Sequence, residues 1–170
     1  MRHLLDMDRW ARKAHFEFFS RFEEPFFGVT VQLDCTRAYD HAKASGHSFF
    51  LSYLHKALVA ANLVAAFRYR ILDGQVWVYD QVNASPTINR PDGTFGFGYM
   101  NYEEDFGLFE HNATIEMDRV RNSGGLAPSV SGENVIHFSS IPWISFTALS
   151  HARSFAHQDS IPKISFVKMT

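Results

Sequence analysis

Asp73-Gly74 stands between two alternating apolar runs, Arg68-Tyr-Arg-Ile-Leu72 and Gln75-Val-Trp-Val-Tyr79. A two-residue Asp-Gly link between such runs predicts a β-hairpin, because the turn that matches strand twist needs positive φ at both link positions. Helical and extended signals mix around it. Phe27, Val29, Val31 and Leu33 alternate with Thr30, Gln32 and Asp34, which predicts a half-buried strand over 26–34. Asp8 can cap a helix carrying Trp10 to about Phe22, and Thr36 or Asp34 can cap another that runs through Ala44 and ends at Gly46. Phe49, Leu51, Tyr53, Leu54, Leu58 and Val59 stripe a helix over 48–63. Strands are expected near 84–89 and 94–100, turned by Pro91-Asp92-Gly93, and a helix over 102–121 should bury Phe109, Ala113, Met117 and Val120. Residues 134–139, 143–147 and 163–169 read as extended. Hairpins without regular strand–helix alternation predict an α/β or α+β sandwich built on a mixed sheet.

Composition narrows what such a sandwich can do. The chain has 170 residues, enough for one domain with a sizeable core, and no linker, repeat or low-complexity tract divides it. Seventeen Phe within an aromatic fraction of 15% point either to a Phe-heavy core or to an apolar cavity or oligomer interface. A formal charge of -2 argues against nucleic acid or an anionic membrane as partner. Cys35 is the lone cysteine, so no internal disulfide forms and a reducing compartment is expected. No apolar run approaches a membrane span, and Met1-Arg-His-Leu-Leu-Asp6 meets acid too early for a signal peptide, so a cytoplasmic location is expected.

Spacing alone yields no strong catalytic motif. There is no phosphate-binding loop, no dinucleotide fingerprint and no paired-histidine zinc helix. His41 and His47 lie close in sequence, but no further ligand is spaced to complete a metal site, so no metal is expected. His15 among Phe16 and Phe18 reads more readily as a packed side chain than as a base. His137 and Ser139, two apart in an expected strand, share a face. A third group to orient His137 is not evident, so no nucleophile is assigned.

Several segments in order carry a resemblance. They are Trp10-x-Arg12-x-x-His15-Phe16-x-Phe18, the helix from Phe49-Phe50 to Asn62, Phe67-Arg68 followed by Asp73-Gly74, Val76-Trp-Val-x-Asp80, and Thr94-Phe95. Ser139-Ser-Ile-Pro142-Trp143-Ile-Ser-Phe146 is the most telling, and Pro162-Lys-Ile-Ser165-Phe-Val-Lys168 closes the series. Along nearly all of its length the chain resembles the chloramphenicol acetyltransferases. The resemblance implies a two-layer sandwich of the coenzyme-A-dependent acyltransferase kind, with a mixed, largely antiparallel sheet packed by helices. It implies a homotrimer with sites between subunits, acetyl-coenzyme A as cosubstrate, no metal, and chloramphenicol as the hydroxyl acceptor, hence antibiotic resistance.

The resemblance also implies roles. Ser139 falls on the serine that donates to the oxyanion of the tetrahedral intermediate, a contribution of about 3 kcal/mol to lowering the barrier. Ser165 falls where the family has a threonine that steadies a water. Arg12 falls on the arginine that pairs with the aspartate of a His-His-x-x-x-Asp-Gly motif. Phe18, Phe19, Pro25, Phe27, Ser85, Thr87 and Phe95 fall on the acceptor pocket, and Trp143 and Lys168 on the coenzyme side. Phe19 stands for a tyrosine, Pro25 for a cysteine, Phe26 for a glycine and Ser85 for a glutamine, which leaves the acceptor open while keeping the reaction type. Read without the family, Arg12 is a solvated helix residue, Ser139 a strand-edge hydroxyl, and Phe18 and Phe27 plain core.

The family's base is the histidine of that motif, and none of the nine histidines here sits in one. Loss of a general base costs about two to four orders of magnitude in rate. Family members continue past the point matching Thr170, so the expectation is a domain apparently shortened at its C-terminus, either a fragment of an ordinary enzyme or a non-catalytic relative. Two competing functions follow: an acyltransferase of the same fold for another hydroxyl acceptor, and a trimeric ligand-binding protein without catalysis.

Overall fold

A computed structural model of the chain describes residues 1–126, 132–145, 147–151 and 159–168. Phe146, the far end of the Trp143 segment, lies outside the described residues, as do Met169 and Thr170. Strand β1 (Arg2–Leu4) opens the chain, followed by helices α1 (Lys13–Phe19), α2 (Thr36–Ala44) and α3 (Phe49–Leu63). A 3-10 turn (Ala65–Arg68) leads into β2 (Tyr69–Leu72), β3 (Gln75–Tyr79), β4 (Asn83–Asn89) and β5 (Phe95–Phe97). Helix α4 (Phe106–Arg121) and strands β6 (Val135–Ser140) and β7 (Lys163–Phe166) complete it.

The Asp-Gly hairpin forms as its chemistry requires. Asp73 and Gly74 have φ of 51° and 73°, and Leu72 faces Gln75 across the turn. This hairpin is widened by β1 into an antiparallel sheet in the order β1-β3-β2. The second sheet runs β5-β4-β6-β7, with β5 antiparallel to β4, and β4, β6 and β7 parallel. The mixed α/β architecture matches the expectation: among the described residues three of the five pairings are antiparallel over both sheets, while the four-stranded sheet that the helices pack on has two parallel pairings and one antiparallel.

One face of the four-stranded sheet makes the core. Ala84, Ile88, Ile136 and Phe138 meet Leu51, Leu54 and Leu58 of α3 and Phe109, Ala113 and Val120 of α4. Both helices begin on a built cap: Ser48 accepts from the Leu51 N–H and Asp105 from the Leu108 N–H. The carboxylate of Glu110 on α4 binds the Ser48 N–H at 2.9 Å and His47 Nδ1 at 2.6 Å, which ties the start of α3 to α4.

Arg70, fully buried, joins the two sheets. Its guanidinium donates to the carbonyl oxygens of Phe67 and Tyr69 on one side and of Glu133 and Val135, at the entry to β6, on the other. Burial draws its pKa down to about 10, and the four carbonyl dipoles hold it as a cation at neutral pH.

Three sequence expectations are corrected. Residues 26–34 carry no strand: Phe27, Val29, Val31 and Leu33 are 68–87% exposed. A strand needs a neighbouring ladder, and among the described residues none lies beside this segment. Helix α1 spans Lys13–Phe19 rather than 10–22, because Asp8 is occupied by Lys13 Nζ at 2.8 Å and caps nothing. Ile141–Ser145 form a turn and irregular chain instead of an extended run, since Pro142 has no amide hydrogen for a ladder.

Candidate active site

Alternation on β6 divides its residues between two faces. Ile136, Phe138 and Ser140 point to the helices, where Ser140 Oγ lies 2.9 Å from the Tyr53 hydroxyl and Phe138 stacks on Phe166. His137 and Ser139 therefore point to the opposite face. Register extends this face sideways. Ser139 pairs with Ser165 of β7, and His137 pairs with Lys163 of β7 on one side and Ser85 of β4 on the other. Two rows result, Ser85–His137–Lys163 and Ser139–Ser165, about 6–7 Å apart along the strands. Thr87 lies two residues beyond Ser85, and Asn89 pairs with Phe95, so Thr87 and Phe95 share the face.

The expected residues Ser85, Thr87, Phe95, Ser139 and Ser165 are thus gathered on one side of one sheet. Ser139 and Ser165 are half-buried: shielded, yet reachable. Trp143 and Lys168 follow the carboxyl ends of β6 and β7, on the same end as the two serines, and both are exposed. An exposed indole and an exposed ammonium beyond the strand ends suit a flat base and an anionic arm, so the residues present fit a coenzyme there.

Electrostatics keep the imidazoles of this face neutral. Burial lowers the His137 pKa from its usual value, with Lys163 adding to the effect, and a bond to the Ser85 backbone opposing it. Burial and Lys163 lower that of His151 as well. Lys163 is ion-paired with Asp159, whose carboxyl is held below the usual range by bonds to Lys163 and to the Ile161 N–H that outweigh its burial.

Sequence reasoning passed over His151, Lys163 and Arg70. His151 lies on irregular chain past Trp143, where no periodicity marks a side chain's direction, yet its Nε2 is 3.2 Å from Ser165 Oγ. Lys163 could have been found, since it lies two residues from Ser165 in an expected strand. Arg70 reads in sequence as one more polar residue of a hairpin.

The N-terminal residues stand elsewhere. Arg12 precedes α1 and is exposed; Phe18, Phe19 and Phe22 meet in edge-on and tilted contacts with ring centres 5.2–5.4 Å apart; Pro25 and Phe27 are exposed. Among the described residues, no hydrogen bond, ion pair or ring contact joins Arg12, Phe18, Phe19, Pro25 or Phe27 to the four-stranded sheet. Phe18 and Phe27 are also not core, at 60% and 87% exposure. A polar cleft of about 550 Å³, lined by Arg2, Asp80, Gln81, Asn83 and Asn134, opens at the amino ends of β4 and β6, away from the serines. Among the described residues no group of three or more His, Cys, Asp or Glu side chains could hold a metal, and no helix is long and apolar enough to cross a membrane.

Known proteins give this arrangement a context. A sequence profile of the family described as chloramphenicol acetyltransferase matches residues 2–164. The chain is 29% identical over 148 residues to the chloramphenicol acetyltransferase of Proteus mirabilis, covering 86% of this chain and 68% of that protein. It is 26% identical over 147 residues to chloramphenicol acetyltransferase 3 of Escherichia coli, covering 85% and 69%. The chain thus spans about two thirds of the length of these curated relatives. A solved chloramphenicol acetyltransferase superposes with a TM-score of 0.89 at 31% identity, over 99% of this chain and 82% of that one. With profile, relatives and fold in agreement over almost every residue, the chain belongs to the chloramphenicol acetyltransferase family.

Proposed function

We propose that this domain, residues 1–170, takes part in moving an acetyl group from acetyl-coenzyme A to a hydroxyl of chloramphenicol, and so serves resistance to the drug. The observation that carries the reading is the pairing of Ser139 with Ser165 on the reachable face of the sheet, at the end where Trp143 and Lys168 emerge. Acetyl-coenzyme A supplies the acetyl group as an activated thioester. Ser139 donates its hydroxyl hydrogen to the oxygen that gains negative charge when the acceptor adds to the carbonyl. Ser165, about 5 Å across the ladder, holds a water or the acceptor beside it. Trp143 and Lys168 bind the coenzyme. Phe95 and Thr87 bound the acceptor on the β4–β5 side, with Ser85 beneath.

A homotrimer completes the site. Phe27, Val29, Val31 and Leu33 offer an uncovered apolar face, and a neighbouring subunit is the surface proposed to cover it, bringing Phe18, Phe19, Pro25 and Phe27 to an acceptor slot. With a C-terminal segment carrying His-His-x-x-x-Asp-Gly supplied, Arg12 would steady the loop of the histidine that removes the acceptor's proton. The cytoplasm, where acetyl-coenzyme A is held, is the proposed location; nucleic acid and membrane are not proposed partners.

A second reading, transfer to another hydroxyl acceptor, is favoured by the His137–Lys163 row. It makes this side of the slot more polar than an aryl acceptor requires. Thiol release from acetyl-coenzyme A tests both, using the 170-residue chain and the same chain extended by the C-terminal segment of the Proteus mirabilis relative. Release with chloramphenicol supports the first reading, and release only with other alcohols the second. Drug binding without release from either form would favour a binding protein.

A further inference from the structure

Among the described residues, His151 is the histidine whose ring reaches the hydroxyl of a site serine, with Nε2 3.2 Å from Ser165 Oγ. A hydroxyl has one hydrogen and two lone pairs, and a neutral imidazole has one donor and one acceptor nitrogen. Whatever His151 offers at Nε2 therefore decides what Ser165 offers to the slot. The surroundings favour a neutral ring, and a neutral ring with its hydrogen on Nδ1 can accept at Nε2. Burial and Lys163, two residues before Ser165 on the same face of β7, both disfavour a positive charge on the ring; Lys163 is paired with Asp159 and stands across from His137 of β6.

We propose that His151 is a positioning residue: its neutral ring accepts the Ser165 hydroxyl hydrogen at Nε2 and so turns both Oγ lone pairs toward the Ser139 side of the slot. Ser165 is thereby a fixed acceptor, suited to a water or to an incoming hydroxyl that must itself donate. Protonation of His151 reverses this, because an imidazolium can only donate at Nε2. Ser165 then turns its hydrogen into the slot and competes as a donor. The chain's own segment after Trp143 thus sets the polarity of a site group on β7. The inference rests on the transferase reading for its consequence in catalysis, and on the structure alone for the bond.

Two measurements test it and fail separately. Ring-nitrogen NMR on the 170-residue chain, with wild type and Ser165→Ala compared, reads the bond directly. The expected result is a His151 ring with hydrogen on Nδ1, titrating below the ordinary histidine value, and with nitrogen shifts altered by Ser165→Ala. Hydrogen on Nε2 at neutral pH, or shifts indifferent to Ser165→Ala, overturns the proposal. Turnover in the form that releases thiol reads the consequence. His151→Leu is expected to lower kcat about fivefold to tenfold with KM nearly unchanged, while His151→Gln, which can still accept, stays within about twofold of wild type and loses the acid-side fall in rate. A His151→Leu enzyme with wild-type kcat and pH profile also overturns it. Absence of turnover in wild type would sink the transferase reading and leave the NMR result to decide the bond.

Discussion

Single side chains decide much of this molecule, and Arg70 shows how. Its guanidinium donates to four main-chain carbonyls in or beside strands of two sheets. Arg70→Met leaves those carbonyls buried without that partner and is expected to cost at least about 3 kcal/mol of unfolding free energy, read from urea denaturation; a loss below about 1 kcal/mol would show the sheets held by other means. Arg70→Lys should recover only part, because an ammonium lacks the planar fork. At the same scale, His137 and His151 give a signed pH effect. Both have folded-state pKa values below the ordinary one, so the unfolded chain binds more protons as the pH drops. Stability is full above the ordinary histidine value of about 6.5 and should fall as the pH goes down through the lower folded values. Denaturation midpoints at neutral and mildly acid pH check this, and a His137→Gln, His151→Gln double variant should show a flatter dependence. Strand alternation put His137 on a face with Ser139, but nothing in the sequence marked Arg70 or His151, whose bonds to Glu133, Val135 and Ser165 reach groups distant in sequence.

Helices and strands were legible wherever the chain carries its own partner. The hairpin followed from Asp73-Gly74, and the buried side of α4 from Phe109, Ala113 and Val120. Residues 26–34 alternate as cleanly as any strand, yet they form no ladder among the described residues, because alternation specifies a face and says nothing of a neighbour. The site shares that division. Ser139 and Ser165 stood out in the sequence, but the ladder that sets them side by side is a property of β6 and β7 together. Two variants probe the elements. Gly74→Ala places a Cβ at φ of 73° and should cost about 1 kcal/mol, read as a lowered melting temperature; no change would mean the turn relaxes freely. Glu110→Ala removes the carboxylate shared by His47 and Ser48 and should cost about 1–2 kcal/mol, with the loss reduced in Glu110→Gln.

The whole molecule presents a well-packed sheet with two helices on one side and a row of polar groups on the other, flanked by an N-terminal segment rich in exposed rings. Phe27, Val29, Val31 and Leu33 leave four large apolar side chains in one short segment mostly uncovered, as an association surface does. Light scattering is therefore expected to give a trimer, and Val31→Asp to shift the population toward monomer without loss of the Leu54–Phe109 core signature in near-ultraviolet circular dichroism. A wild-type monomer at high concentration would remove the shared-site account. The account depends most on the hydroxyl at 139. Replacing Ser139 by Ala in the form that releases thiol, and measuring kcat and KM for the acceptor, tests it directly. The account predicts a fall in kcat of at least about tenfold with KM little altered. An unchanged kcat would contradict it.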